Sequence, residues 1–469
     1  MRRKTESSPG SIALNCVDKC LLALDGINEP MLIHTILNLQ GEVDHAGLNR
    51  AISMAQRTYP VMRTILCRRY LRPARQIQEN PGKGVLSIVD KAKLQDTDYE
   101  SYLSSWMNRP LNIRKEFPVR VLLLRKNELE SSLVFTFHHS ATDGLRALLF
   151  VRKAIENYNS ELASEGKAKA SPVQDFNDIR INRKGDELLE FANSQRSKVE
   201  HYYGKMISSL FHRFVVSALP FPARVFHDKS GQSTELRFCF ETIDPGELEQ
   251  IQLKARSAGV ELNDVFLAAC YRVVERWNSM HGKASNRIRI MAPVNISPKG
   301  FRYVVSNQAS WFSLPTTPRD RADPAELLRK VRADTINATM NRIAFSLVYF
   351  FYFCSRFPLA IMRGMCRFLI VTRTYVDTIL ITNLGFIWPK SGSAEPAVST
   401  VGNAGIVNIT GSAPVVSPMG LSIAAGIYNR HLNFSLTYRP ALFSEKKARA
   451  FLALYVEEIK NYQVGAQGA

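Results

Sequence analysis

The sequence predicts an α/β or α+β protein made of two similar-sized halves with a cleft between them. Three observations carry this. Apolar strand patterns and amphipathic helix patterns follow one another in the first third of the chain, and the same plan returns after residue 226. Between them, from Asn159 to about Lys198, the chain turns polar and charged with few large apolar residues, as a connector does. The 469 residues, 45% of them hydrophobic, can bury large cores, and roughly 100–200 residues per domain implies two to four folding units. The divisions read from this are an N-terminal half at 1–185, a connector at 186–225 and a C-terminal half at 226–469.

Taken in order, Asp44 stands where an N-cap belongs, and Leu48, Ala51, Ile52 and Ala55 recur at helical spacing behind it. The pattern predicts a helix over 45–58, ended by Pro60, which cannot continue the hydrogen-bond ladder. Residues 119–124 (VRVLLL) read as a strand buried on both faces, and 132–137 as a shorter strand leading into two histidines. A helix over 144–158 follows, its inner face built by Leu145, Leu148, Leu149 and Ile155. In the second half a strand is expected at 234–240, a helix from Asn263 carrying Val265, Phe266, Val273 and Trp277, and a strand at 288–293. Strand-like stretches at 378–382, 402–410, 421–428 and 432–438 precede a last helix over 444–462.

Composition excludes disordered and collagen-like classes, since Gly and Pro number only 25 and 22. The 61 basic against 42 acidic residues leave a charge of +19, which attracts anions of any kind: nucleic acid, anionic lipid, nucleotide phosphate or an acidic carrier protein. Nucleic acid is disfavoured, because the arginines and lysines are dispersed and no recognition motif is present. Seven cysteines, an odd number without a CxxC pair, indicate neither a disulfide framework nor a zinc site, so no metal is expected. The opening MRRKTESSPGS lacks the apolar stretch of a signal peptide, and a reducing, cytoplasmic setting is the expectation. The apolar run 343–355, bounded by Arg342 and Arg356, is shorter than the ~18–20 residues that span a bilayer. It reads as a buried helix or hairpin, or as a segment in peripheral contact with a membrane surface.

Chemistry concentrates at 138–144, His-His-Ser-Ala-Thr-Asp-Gly, between a strand and a helix. Side chains alternate along a strand, so Leu133, Phe135, Phe137 and His139 share one face while Val134, Thr136 and His138 share the other. Only one histidine can then enter a given cleft. An imidazole that continues an apolar face is desolvated, which disfavours its charged form and leaves it available as a base. A metal pair is disfavoured, because adjacent strand side chains diverge and no third ligand cluster accompanies them. Gly144 would permit backbone angles that other residues resist.

HHSATDG resembles the HHxxxDG motif of the condensation-domain and acyl-CoA-dependent acyltransferase superfamily, and companion segments extend the resemblance over about 30–462. These are YPVMR at 59–63, RPL at 109–111 with FPVRV at 117–121, LNDVFLA at 262–268, PVN at 293–295, TNLG at 382–385 and the ending GIYNRHLNFSLTYRPALFSEKKARAFLALY. The resemblance implies two chloramphenicol acetyltransferase-like halves, each a mixed sheet with packed helices, and an active-site tunnel between them. It implies that His139 is a general base taking a proton from a hydroxyl or amine as it attacks an acyl thioester. His138, Asp143 and Gly144 would support the motif, Asp143 through an ion pair with an arginine of the other half. The donor would be coenzyme A or a carrier protein's phosphopantetheine thioester, with no permanently bound cofactor. The aromatic stretch 343–371 favours a lipid-like acceptor, as in wax-ester synthase or diacylglycerol acyltransferase-like and alcohol acyltransferase-like members. The alternatives are a free-standing non-ribosomal-peptide-type condensation enzyme and a non-catalytic module that binds a carrier protein. Trp311, Asn383 and Gly385 are candidate cleft residues, each with a structural reading beside it. Two departures stand out: Ser297 occupies a position where the family often has arginine, leaving Arg289 and Arg302 as candidate partners of Asp143, and Arg146 replaces a small residue at the head of the helix.

Overall fold

Residues Val119–Arg125 alternate between two apolar environments, and this explains their unbroken hydrophobicity. Val121 and Leu123 join one core and Leu122 and Leu124 another, so the strand is buried on both faces. The computed structural model describes residues 10–27, 29–69, 72–81, 84–90, 98–163, 188, 190, 221–231, 233–297, 304–340, 343–372, 377–390 and 396–462. The expected connector at 186–225 lies, but for a few residues, outside them, as does Arg302.

That strand belongs to a six-stranded mixed sheet in the spatial order Thr400–Val401, Ala404–Ser412, Leu32–Gln40, Glu130–His138, Val119–Arg125 and Leu86–Asp90. Its pairs are antiparallel except the last, which is parallel. The helices His45–Thr58 and Gly144–Ala163 cover one face. Asp44 caps the first of them by accepting the Ala46 and Gly47 amides, and Phe150 of the second meets Phe135 and Phe137 edge-on at 6.4 and 5.8 Å. Burying each such ring contributes roughly 1.5–3 kcal/mol.

A second mixed sheet has the order Ala309–Thr316, Ile288–Asn295, Ile379–Phe386, Leu421–Tyr428, His431–Tyr438 and Arg237–Ile243. Only the two pairs made by Ile379–Phe386 are parallel. The helices Leu262–Met280 and Glu445–Lys460 pack on it, with Phe434 between Phe266 and Tyr455 at 5.4 and 5.5 Å. These are two chloramphenicol acetyltransferase-like halves, as the sequence leads one to expect.

The stretch expected as a strand of the second half at 402–410 is instead lent to the first. Ala404–Ser412 pairs with Leu32–Gln40, Ile409 opposite Leu37, and buries Ile406 and Ile409 in the N-terminal core. The halves therefore interlock, and a cut in the chain at 226 does not separate the two sheets. The aromatic run forms two helices, Ile343–Cys354 and Leu359–Val371, with Pro358 capping the second. Their inner faces pack on the helix Cys16–Leu24. Among the described residues no helix is long and apolar enough to cross a membrane.

Candidate active site

The strand Glu130–His138 ends one residue before His139, so the two histidines leave the sheet differently. The His139 amide still donates to Met31 O at 2.8 Å, and the chain then turns. His138 is buried against protein: its Nδ1 accepts the Ser140 amide at 3.2 Å, and its Nε2 stands 3.3 Å from Asp25 Oδ2. Burial opposes ionisation of Asp25, but His138, the Met31 amide and Arg363 outweigh it and hold the carboxyl below its usual range. Buried Arg75 steadies the loop from beneath, donating to Ser140 O at 2.6 Å.

His139 faces open space. Its Nδ1 lies 2.9 Å from Thr142 O, and a carbonyl can only accept, so Nδ1 carries the proton and Nε2 the lone pair. Burial lowers its pKa below 6.5, against the opposing pull of the Thr142 carbonyl and the Asp143 charge, so the ring is neutral at pH 7.

Asp143 differs from expectation. Its Oδ1 accepts the Arg146 amide at 3.0 Å, capping the helix Gly144–Ala163, and its Oδ2 accepts the Gln308 amide of the other half at 2.7 Å. The partner from across the cleft is thus a backbone N–H. The nearby cation is Arg146 of its own helix, while Arg289 pairs with Asp377 at 2.5 Å. Burial raises the Asp143 pKa, with Arg146 and the two amides opposing it. The Arg146 guanidinium crosses to the other half, donating to Ser297 Oγ and, at 3.1 Å, to Gln308 Oε1. The two departures noted in the sequence therefore touch each other.

Gly144 has no left-handed backbone; its small size is what matters, because an added Cβ would stand 3.1 Å from Leu384 Cδ2. Gly385 is the residue that needs conformational freedom, at φ +65°, and it lines neither cavity described below. Asn383 does reach a cavity, and its Oδ1 accepts the Gly385 amide at 2.9 Å. Trp311 walls the other cavity, its ring 5.1 Å from that of Phe351.

Two cavities meet at His139. One is apolar, walled by Leu21, Met31, Trp311, Phe351, Met362 and Leu369 among others. The second is of mixed lining: it presents His34, Thr35, Asn295, Thr382, Asn383 and Ser412 among apolar neighbours such as Ile33, Leu145 and Leu384. Pro293, Ala309, Leu380 and Pro414 line both, so the imidazole stands at a junction built by both halves.

Reading the sequence alone misses Asn307 and His34. Asn307 is buried and lines the apolar cavity; its Nδ2 donates to His139 O at 2.7 Å and to Asp18 Oδ1 at 2.9 Å, tying the backbone of His139 to the other half. No local signal marks it, because its value comes from a partner 168 positions away. His34, buried in the strand Leu32–Gln40 with Nδ1 3.0 Å from Thr136 Oγ1, is held neutral by burial and then by the Arg120 charge, its pKa falling from 6.5 to about 3.

The depressed His34 pKa makes a prediction. Between pH 6.5 and about 3 the unfolded chain binds a proton that the native His34 does not. Stability is therefore full above pH 6.5 and falls by about 1.4 kcal/mol per pH unit for this group as pH drops below it. His34→Gln, which can still bond Thr136, should flatten this dependence in urea melts at pH 7.5 and 4.5. An unchanged difference between the two would show that His34 does not set it.

Two interlocked mixed sheets closing over one neutral histidine, with a cavity on either side of it, define a chloramphenicol acetyltransferase-like protein. A sequence model of the Condensation domain family matches residues 24–284, and the chain belongs to that family, whose members are in general acyl-transferring enzymes. Solved structures agree in fold. The first condensation domain of the CDA synthetase is 15% identical with a TM-score of 0.66, the match covering 99% of this chain and 98% of that one. An arginine-to-alanine variant of the starter condensation domain of rhizomide synthetase, in complex with C8-CoA, is 13% identical with a TM-score of 0.65, covering 98% and 96%. The SgcC5 protein from Streptomyces globisporus, in complex with a naphthyl ethanediol and sucrose, is 17% identical with a TM-score of 0.59, covering 96% and 98%.

Proposed function

We propose that this protein transfers an acyl group from a thioester donor, acyl-CoA or an acyl carrier protein, to the hydroxyl or amine of a lipid-like acceptor, with His139 as general base. The observation that carries the reading is the position of His139: a fixed tautomer, with Nε2 unbonded among the described residues, where an apolar cavity and one of mixed lining join. A phosphopantetheine arm has two amides, and the Thr, Asn and Ser side chains of the mixed cavity can bond them. The net charge of +19 suits the phosphates of coenzyme A or an acidic carrier. The apolar cavity suits an alkyl or aromatic acceptor. In this division residues 1–185 supply the base and 226–469 the facing wall.

The acceptor's proton passes to His139 Nε2 as its oxygen or nitrogen attacks the thioester carbonyl. The tetrahedral intermediate collapses, the C–S bond breaks, and the imidazolium returns the proton to the departing thiolate. The thioester is already activated, so this sequence needs neither a metal nor a covalent acyl-enzyme. His138, Asp143 and Gly144 shape the loop, Asp143 and Gly144 also lining the second cavity, and Trp311 and Asn383 border the two substrates.

The rhizomide starter domain bound to C8-CoA supports an acyl-CoA donor. The CDA synthetase domain supports the second reading, a free-standing enzyme condensing carrier-bound substrates through the same base. Incubation with acyl-CoAs of graded length and with acyl carrier proteins, each with a long-chain alcohol or amine, tests the reading. Thiol release should match ester or amide formed. Thiol release in no pairing would leave a carrier-binding module as the better account.

A further inference from the structure

The helix Leu359–Val371 has two apolar faces, and only one of them is covered. Met362, Met365, Leu369 and Ile370 turn inward and wall the cavity that reaches His139. On the opposite side Ile361, Phe368 and Val371 recur at spacings of seven and three, one stripe of a helix, and point outward, Phe368 and Val371 being 65% and 74% exposed. The neighbouring helix adds Phe353, 61% exposed, whose ring lies 5.4 Å from that of Phe357. Large apolar side chains clustered on an exposed helix face mark an interaction surface, so this outer face calls for a partner.

Charge narrows the choice of partner. From 343 to 371 the chain contains Arg356, Arg363 and Arg367 and no aspartate or glutamate. Arg363 donates to Asp25 O and Arg356 to the Tyr352 hydroxyl, and Arg356 and Arg367 are exposed beside the apolar stripe. Large apolar side chains flanked by arginines are what a helix lying in a bilayer interface presents, rings among the acyl chains and guanidinium groups on phosphate.

We infer that the outer face of Leu359–Val371, with Phe353 and Phe357, docks on an anionic phospholipid bilayer and that the cavity behind it receives its acceptor from there. This rests on the proposed lipid-like acceptor. One helix separates bilayer from cavity, so an amphiphile could pass to His139 along apolar surface without crossing water.

The test uses the whole chain with no thioester present. It should sediment with vesicles of phosphatidylcholine and phosphatidylglycerol, less with phosphatidylcholine alone, and less again in 1 M salt, which screens the arginines. Phe368→Glu with Val371→Glu should lower the bound fraction at least tenfold, while in a separate assay, with a thioester supplied and no vesicles, thiol release with a short water-soluble alcohol stays unchanged. Arg356→Gln with Arg367→Gln should weaken binding to anionic vesicles only. Should the glutamate variant misfold, the lipid and salt dependence of the unaltered chain decides. Wild-type protein that stays in the supernatant with both vesicles overturns the inference, as does a glutamate variant that binds like wild type. A dimer that these substitutions dissociate, with no vesicle binding, would assign the face to a second copy. Thiol release without vesicles is read separately, so docking can fail while the acyl-transfer reading stands.

Discussion

Replacing His139 by alanine should lower acyl transfer roughly 10²–10⁴-fold, the contribution of a positioned general base, with little change in melting temperature. The loss follows from geometry: Thr142 O holds the Nδ1 proton, and Nε2 is left at the junction of the two cavities. The small effect on folding follows as well, since the side chain faces open space and surrenders a single hydrogen bond, worth about 1 kcal/mol. In the unaltered protein kcat/KM should hold from neutral pH down past 6.5 before it falls, because burial keeps this imidazole neutral to lower pH than a free one. A folded His139→Ala protein with full turnover would remove the base assignment.

Asp143→Ala should act on stability, by roughly 2–4 kcal/mol. It deletes a buried acceptor of two backbone amides, one the cap of the helix Gly144–Ala163 and the other the Gln308 link across the cleft, and leaves both donors without it. Asp143→Asn, which retains an acceptor oxygen, should lose less. Chemical denaturation measures both. If Asp143→Ala unfolds like the wild type yet has lost turnover, Asp143 takes part in the reaction directly.

Features set by neighbours in sequence were legible. Asp44 marks a cap because it bonds amides two and three residues on, and the strand over 421–428 stands where its apolar run lies. The divergence of His138 and His139 follows from alternation, although the strand stops at His138. Features set by distant partners were not. The central strand Leu32–Gln40 is interrupted by His34 and Asn38, whose partners Thr136 and Asn408 lie far along the chain. Ala404–Ser412 has a strand pattern that does not say which sheet it will join. The resemblance implied an arginine partner for Asp143; the Gln308 backbone amide that takes its place has no side-chain signature in the sequence.

A crystal structure of the protein with an unreactive thioether analogue of the acyl donor and a long-chain alcohol tests the central claim most directly. The account predicts the phosphopantetheine arm in the mixed cavity beside Thr382 and Asn383, the alkyl chain of the alcohol against Trp311 and Met362, and its hydroxyl roughly 3 Å from His139 Nε2. Both molecules settling away from His139, or a hydroxyl turned from Nε2 while the arm is in place, would contradict it.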